Sequence, residues 1–490
     1  MEEKNKLVNN IENLTVFLVG FSFLVFPLIF TTVNTDIFSI PKQTLFGIVA
    51  IASLILFGAK VALSGSLRIR RTPFDIPLLL LTLAVFLSAM FSLNRSESLL
   101  SFVPFFFSVV LFFAIVNSAN KDRHFLFLSA SLVGGGAVAS IITVLNLLKV
   151  YILPFEFAKN QTFTPFGNPL DQAIFLGIVF SLCLYIVLPY IKEKRFPKKD
   201  AFFFIGGAIA GLGLLASLYV LLVLQRPNIL PFSTGFQTAF AAISQDTGRI
   251  VQGFLFGSGY GTYLSDFTRF KPATFNLNAD IWNLPFIRSS SFALELLATA
   301  GVLGFFSFLL LAYRALRIKP LFFPMIAGVV LAFILPFSFL TVSVIFIILG
   351  IFSISPFISK ENEANFYDEE IKLMSFRKGI LGITASSSER NVSPSFIPYV
   401  FLAVTLLVAG VLGYFSARFI YSDVLFQRSL IAASQNDGAK TYDLQTKAIN
   451  TFPYRDGYHR IFSQINLALA NNLAASVPQG SSPSAQVQQN

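Results

Sequence analysis

Apolar runs of roughly 20 residues recur along the chain, separated by short polar breaks, and that is the length an α-helix needs to cross a bilayer. Eleven runs predict helices over residues 13–32, 43–63, 74–93, 98–117, 125–149, 170–190, 201–224, 291–312, 321–337, 340–358 and 395–417. The ninth and tenth meet around Pro336 so tightly that they read equally as two spans or as one broken unit. One long polar interval, residues 225–290, interrupts the series. The pattern predicts an all-α, polytopic helical membrane protein of about 11 spans. Two stretches with small residues every four positions, 133–140 and 206–213, predict close helix–helix packing and carry no chemistry.

The predicted organisation follows from these breaks. Residues 1–224 hold spans one to seven, 225–290 an external loop and 291–358 spans eight to ten. Residues 359–394 form a flexible cytoplasmic linker, 395–417 the last span, 418–473 a small external helical segment and 474–490 a disordered tail. Basic residues fix the orientation. Lys4 and Lys6, Arg68, Arg70 and Arg71, Lys121 and Arg123, Lys192 to Lys199, Arg314 to Lys319 and Lys360 to Arg390 all fall on alternate connections. That side is the cytoplasm, so the N-terminus is inside and the C-terminus outside. The first run has no small-residue cleavage site after it and reads as a retained anchor.

Composition agrees with a membrane protein: 54% of residues are apolar and 12% charged, where soluble domains have about a quarter charged. Cys183, the single cysteine, can form no internal disulfide. The two histidines, His124 and His459, are far apart and no Asp-x-Asp pair occurs, so neither a metal nor another cofactor is expected.

The chemistry concentrates in the external loop. Gly257-Ser258-Gly259-Tyr260-Gly261 resembles a phosphate loop, but no Lys-Ser/Thr follows and no βαβ unit surrounds it. Either its amides approach a phosphate or its glycines only make tight turns. Upstream, Phe236, Ala239, Phe240 and Ile243 recur at helical spacing, giving either a helix on the membrane surface or a core helix of the loop. Five basic residues, Arg226, Arg249, Arg269, Lys271 and Arg288, face Asp246, Asp266 and Asp280. Guanidinium groups beside headgroups suit a diphosphate, because each planar fork pairs with two oxygens. Interleaved aromatics such as Tyr260 and Trp282 either stack on sugar rings or join the interfacial belt. Nucleic acid is excluded by the position at a membrane exit.

Two segments resemble the O-antigen ligase and O-antigen polymerase superfamily. They are "FLFGSGYGTY … RSSSFALELLATAGVLGFFSFLLL" and "TPFGNPLDQAIFLG", the second leading into the sixth span. The resemblance implies a GT-C-like integral-membrane glycosyltransferase of the bacterial cytoplasmic (inner) membrane. Such an enzyme moves a glycan from an undecaprenyl-diphosphate carrier to a lipid or protein acceptor outside the cytoplasm, without metal, in cell-surface polysaccharide synthesis. It implies catalytic roles for Arg249, Arg288 and Glu295, with Asp266 a second candidate base. It implies donor contacts from Arg269, Lys271, Gly257, Gly259, Tyr260, Ser290 and Asn168. One departure stands out: the family's His-Asn falls on Ser290-Ser291. Glu295 itself reads as an acceptor-activating base, as an arginine partner, or as an acid reaching the headgroups. Residues 429–470 resemble one and a half tetratricopeptide units, too few for a free solenoid. Two other functions compete: a protein O-oligosaccharyltransferase, and a lipid flippase or transporter, which would show internal repeats with broken helices.

Overall fold

A computed structural model describes residues 2–192, 201–319, 321–358, 362, 364–373 and 396–475. Most of the linker and the expected disordered tail therefore lie outside the described residues. The apolar runs are helices: α1 (Glu2–Val25), α2 (Ser39–Ser64), α3 (Asp75–Met90), α4 (Arg95–Ser118), α5 (Asp122–Leu147), α6 (Pro169–Lys192) and α7 (Ala201–Tyr219), the last continued by a wide turn to Leu224. The loop folds as α8 (Phe232–Ser244), α9 (Ile250–Phe256) and α10 (Tyr263–Phe270). Then come α11 (Phe292–Arg317), α12 (Phe323–Ile334), α13 (Phe339–Ser353), α14 (Ile397–Ser434), α15 (Gly438–Thr451) and α16 (Asp456–Ala475). Among the described residues, eight helices are long and apolar enough to cross a membrane; α3, α12 and α13 are apolar but shorter.

The small-residue stretches pack helices closely. A Cβ on Gly207 of α7 would meet the Cys183 Cβ of α6 at 2.9 Å, and one on Gly213 would collide with Ser140 of α5. With almost no side chain between them, the backbones approach and dispersion contacts accumulate.

Polar contacts sort the connections onto two ends of the bundle. At one end Lys60 meets Glu12 at 2.7 Å and donates to the Asn117 carbonyl at 2.9 Å, while Asn120 donates to Glu12 at 2.8 Å. There, β1 (Ser66–Arg71) pairs antiparallel with β2 (Tyr367–Lys372), placing Arg68 opposite Glu370. Residues 367–372 of the expected linker are thus ordered as a strand. At the other end, Leu93 donates to Ser258, Phe292 to Leu335, and Thr35 to Asp423.

One helix extends beyond its expected bounds. Helix α14 runs 38 residues to Ser434, so the last apolar run and the start of the expected C-terminal helical segment form one continuous helix. The C-terminal half of α14, with α15 and α16, docks on the α1–α2 connection and the start of α4. Asp423, fully buried, accepts from Arg455 at 2.5 Å and from Thr35 and Asn34, and Glu97 accepts from the Asp456 amide at 2.7 Å. Burying this aspartate is tolerable because a cation and several donors satisfy it.

Candidate active site

The loop is anchored by a break in α11. Gly301 has φ 65° and ψ −166°, a backbone state open essentially to glycine. The kink frees carbonyls that a straight helix would use. Ala298 accepts from the Ser258 amide at 3.1 Å, and Thr299 accepts from the Gly259 amide at 3.0 Å and from Ser88 Oγ at 2.6 Å. A Cβ on Gly301 would lie 2.6 Å from the Gly257 nitrogen; one on Gly257 would lie 2.5 Å from the Thr299 carbonyl. The two glycines let backbone meet backbone. The amides of Gly257, Ser258 and Gly259 are spent on Gly253, Ala298 and Thr299. The expectation that they cradle a phosphate gives way to the tight-turn alternative: Gly257 and Gly259 serve packing.

The arginines fall into two groups rather than one. Asp246, 4% exposed, accepts from Arg269 at 2.6 Å and from Arg249 at 3.4 Å. Arg249 also donates to the Phe91 carbonyl and to Gln252. Behind them Asp266 is fully buried and accepts from Ser258 Oγ at 2.6 Å. Burial pushes its carboxyl up to about 7, against the pull of that hydrogen bond and of Arg269.

Arg288 stands apart. Its Nη1 lies 4.0 Å from Asp171 of α6, and about a third of its side chain is exposed. Asp171 accepts from Thr341 Oγ1 of α13 at 3.1 Å. Glu295, on the first turn of α11, accepts from the Ser289 amide at 3.3 Å. Tyr260 joins the same neighbourhood. Burial first, then the Glu295 carboxylate, raises its phenol above the usual value, while Arg288 pulls it down. Its ring packs edge-on against Phe105 of α4, 5.4 Å between centroids. Tyr263 closes the inner wall: its hydroxyl, pushed up to about 12 by burial, lies 2.7 Å from Thr238.

The remaining expected residues divide. Asn168 is exposed and accepts from the Leu170 amide at 2.9 Å, turning the chain into α6 within a turn of Asp171. Ser291 caps α11 by accepting from Leu294. Ser290 is 2% exposed, its Oγ has no hydrogen-bond partner, and a Cβ on Gly235 of α8 would strike it. The expected donor contact at Ser290 is therefore sealed beneath α8. Lys271 sits over the rings of Phe267 and Phe275, away from both arginine groups, on a separate cavity. Helix α8 combines its two alternatives: Ala239, Ala242 and Ile243 are buried, while Phe232, Phe236 and Phe240 are exposed along the opposite stripe.

Sequence reasoning passed over Thr341, the Gly301 kink and the Asp423–Arg455 pair. A buried aspartate in an apolar helix was the available signal for Asp171 and Asp423. Among the described residues no three metal-ligating side chains come together. No family model, curated protein or solved structure matches the chain.

Proposed function

We propose that this chain is a lipid-carrier-dependent glycosyltransferase of the bacterial inner membrane, with eleven spans, a cytoplasmic N-terminus and its site on the outer face. The observation that carries the reading is the grouping of Arg288, about a third exposed, with Asp171 of α6, Glu295 of α11 and Tyr260 of the loop. An acceptor hydroxyl attacks the anomeric carbon of the carrier-linked sugar. The new C–O bond forms as the bond from that carbon to the diphosphate oxygen breaks, and the hydroxyl proton passes to Glu295. Arg288 stabilises the charge arriving on the leaving diphosphate. Asp171 keeps Arg288 oriented, and Thr341 in turn orients Asp171. Arg249 and Arg269, held by Asp246, act as loop structure in this scheme and not as phosphate ligands.

The acceptor is a hydroxyl-bearing glycan or lipid. A protein acceptor is the second reading, favoured by the docking of α14–α16 at the same end of the bundle. The test uses purified protein in lipid nanodiscs, an undecaprenyl-diphosphate-linked glycan and excess EDTA. Release of undecaprenyl diphosphate with a glycosylated acceptor is expected, and Glu295→Gln should lower the rate by at least about 100-fold, the usual contribution of a general base. Absence of transfer across lipid, glycan and protein acceptors overturns the proposal; full activity in Glu295→Gln overturns the role of Glu295.

A further inference from the structure

The loop folds a second concavity that the transfer chemistry does not use. Phe267, Thr268, Lys271, Asn276, Trp282 and Asn283, with Leu284 and Pro285, line an open groove of about 820 Å3, and neither Arg288 nor Glu295 lines it. That volume falls in the ordinary range of ligand sites, about 300–1,000 Å3. Its floor is fixed, because the buried Phe267 packs edge-on against Phe275 and Phe286 at centroid distances of 5.2 and 5.3 Å. Its rim is open: Trp282 is 52% exposed, and Asn276 and Asn283 are exposed. Lys271 Nζ lies 5.7 Å from the centroids of Phe267 and Phe275, and the ion pairs of the described loop residues leave it out.

The geometry points to a saccharide subsite here, one that takes an acidic oligosaccharide. A sugar ring has an apolar face of C–H groups and a rim of hydroxyls. An indole covers the first, and neutral amides, which donate and accept at once, match the second. Asn276 and Asn283 supply that mixed lining without a carboxylate, and the Thr268 hydroxyl, which donates to the Leu264 carbonyl at 2.7 Å, adds an acceptor. The unpaired ammonium of Lys271 adds the charge-assisted contact that a uronic acid, or another acidic substituent, would answer. A phospholipid headgroup would use only part of this lining: its phosphate answers Lys271 and the asparagine N–H groups, but it brings few donors for the asparagine carbonyls and no ring face for the indole. The inference rests on the transferase reading: the subsite would hold sugars of the donor or acceptor chain beyond the reacting unit.

Trp282 is the only tryptophan in the chain, so indole emission, excited selectively over the 14 tyrosines and corrected with empty nanodiscs, reports this cavity. Full-length protein in phosphatidylcholine nanodiscs would be titrated with a galacturonate hexamer and, separately, with maltohexaose. A saturable change with the acidic hexamer, tighter than with the neutral one, is expected. Lys271→Gln should weaken the acidic hexamer by about tenfold, the loss of one charged hydrogen bond, and leave maltohexaose unchanged. Asn283→Ala should weaken both. Variants are first matched to wild type in thermal midpoint. No saturable response, or a response indifferent to Lys271→Gln, overturns the proposal. So does quenching of Trp282 by brominated acyl chains without any response to sugar, which assigns the cavity to the membrane surface. Transfer without hexamer binding removes the subsite and keeps the reaction; hexamer binding without transfer does the reverse.

Discussion

Two arginine–carboxylate groups stand at the same end of the bundle and differ in how far each is closed. Asp246 takes two guanidinium groups, and Arg249 spends further donors on Phe91 and Gln252. Asp171 holds Arg288 only at 4.0 Å and divides its attention with Thr341. The first group is a joint, tying α8, α9 and α10 to the end of α3. The second retains donor capacity for an incoming anion. Cationic residues counted along a sequence are thus not interchangeable: the acid beside each one decides whether it builds or binds.

That contrast can be broken from either side. The largest effect is expected at the closed group. Asp246→Ala strands two arginines, one of them 19% exposed, beside a buried vacancy. It should cost about 3 kcal/mol, the low end for breaking a buried pair since Arg269 keeps some solvent. Thermal unfolding followed by size-exclusion chromatography reads this, and a midpoint equal to wild type would dissolve the idea of a joint. Next comes the hinge between the groups. Gly301→Ala forces a Cβ to 2.6 Å from the Gly257 nitrogen at φ 65°. A loss of about 2 kcal/mol is expected, with cleavage by added protease appearing in residues 250–263.

A third effect depends on pH. Asp266 is raised from 3.8 to about 7 by burial. Between those values the folded state holds a proton that the unfolded state has lost. The stability from this group is therefore greatest below pH 3.8, declines as pH rises to about 7 and stays low beyond it. Asp266→Asn keeps an acceptor for Ser258 and removes the charge. It should raise the midpoint by a few degrees at pH 8 and leave it unchanged near pH 4. Equal shifts at both values would show that Asp266 is ionised throughout.

Much of the fold was legible because bilayer thickness sets helix length. The apolar runs at 43–63 and 98–117 became α2 and α4 with boundaries moved by a few residues. The end of the last span was not legible. Residues 418–434 are polar enough to leave the membrane yet have no breaker, so α14 continues through them. At the candidate site, Arg288, Glu295 and Asn168 were readable as polar residues at span mouths, and Tyr260 as an aromatic in the glycine turn. Their separation from Arg249, Arg269 and Lys271 was not, because it depends on which acid each cation meets across the fold. The glycines misled for a similar reason: Gly257 and Gly259 answer a kink at Gly301, more than 40 residues away in the chain.

The central claim is that Arg288, and not Arg249, serves the reaction. Transfer from a diphosphate-lipid glycan should be measured for Arg288→Ala and Arg249→Ala at equal folded concentration, with Arg288→Lys alongside. The account predicts a fall of at least about 100-fold for Arg288→Ala, the scale for removing one charge-stabilising donor. It predicts partial recovery in Arg288→Lys and a near-normal rate in Arg249→Ala once folded protein is matched. Equal losses at both positions, or an active Arg288→Ala, would contradict it.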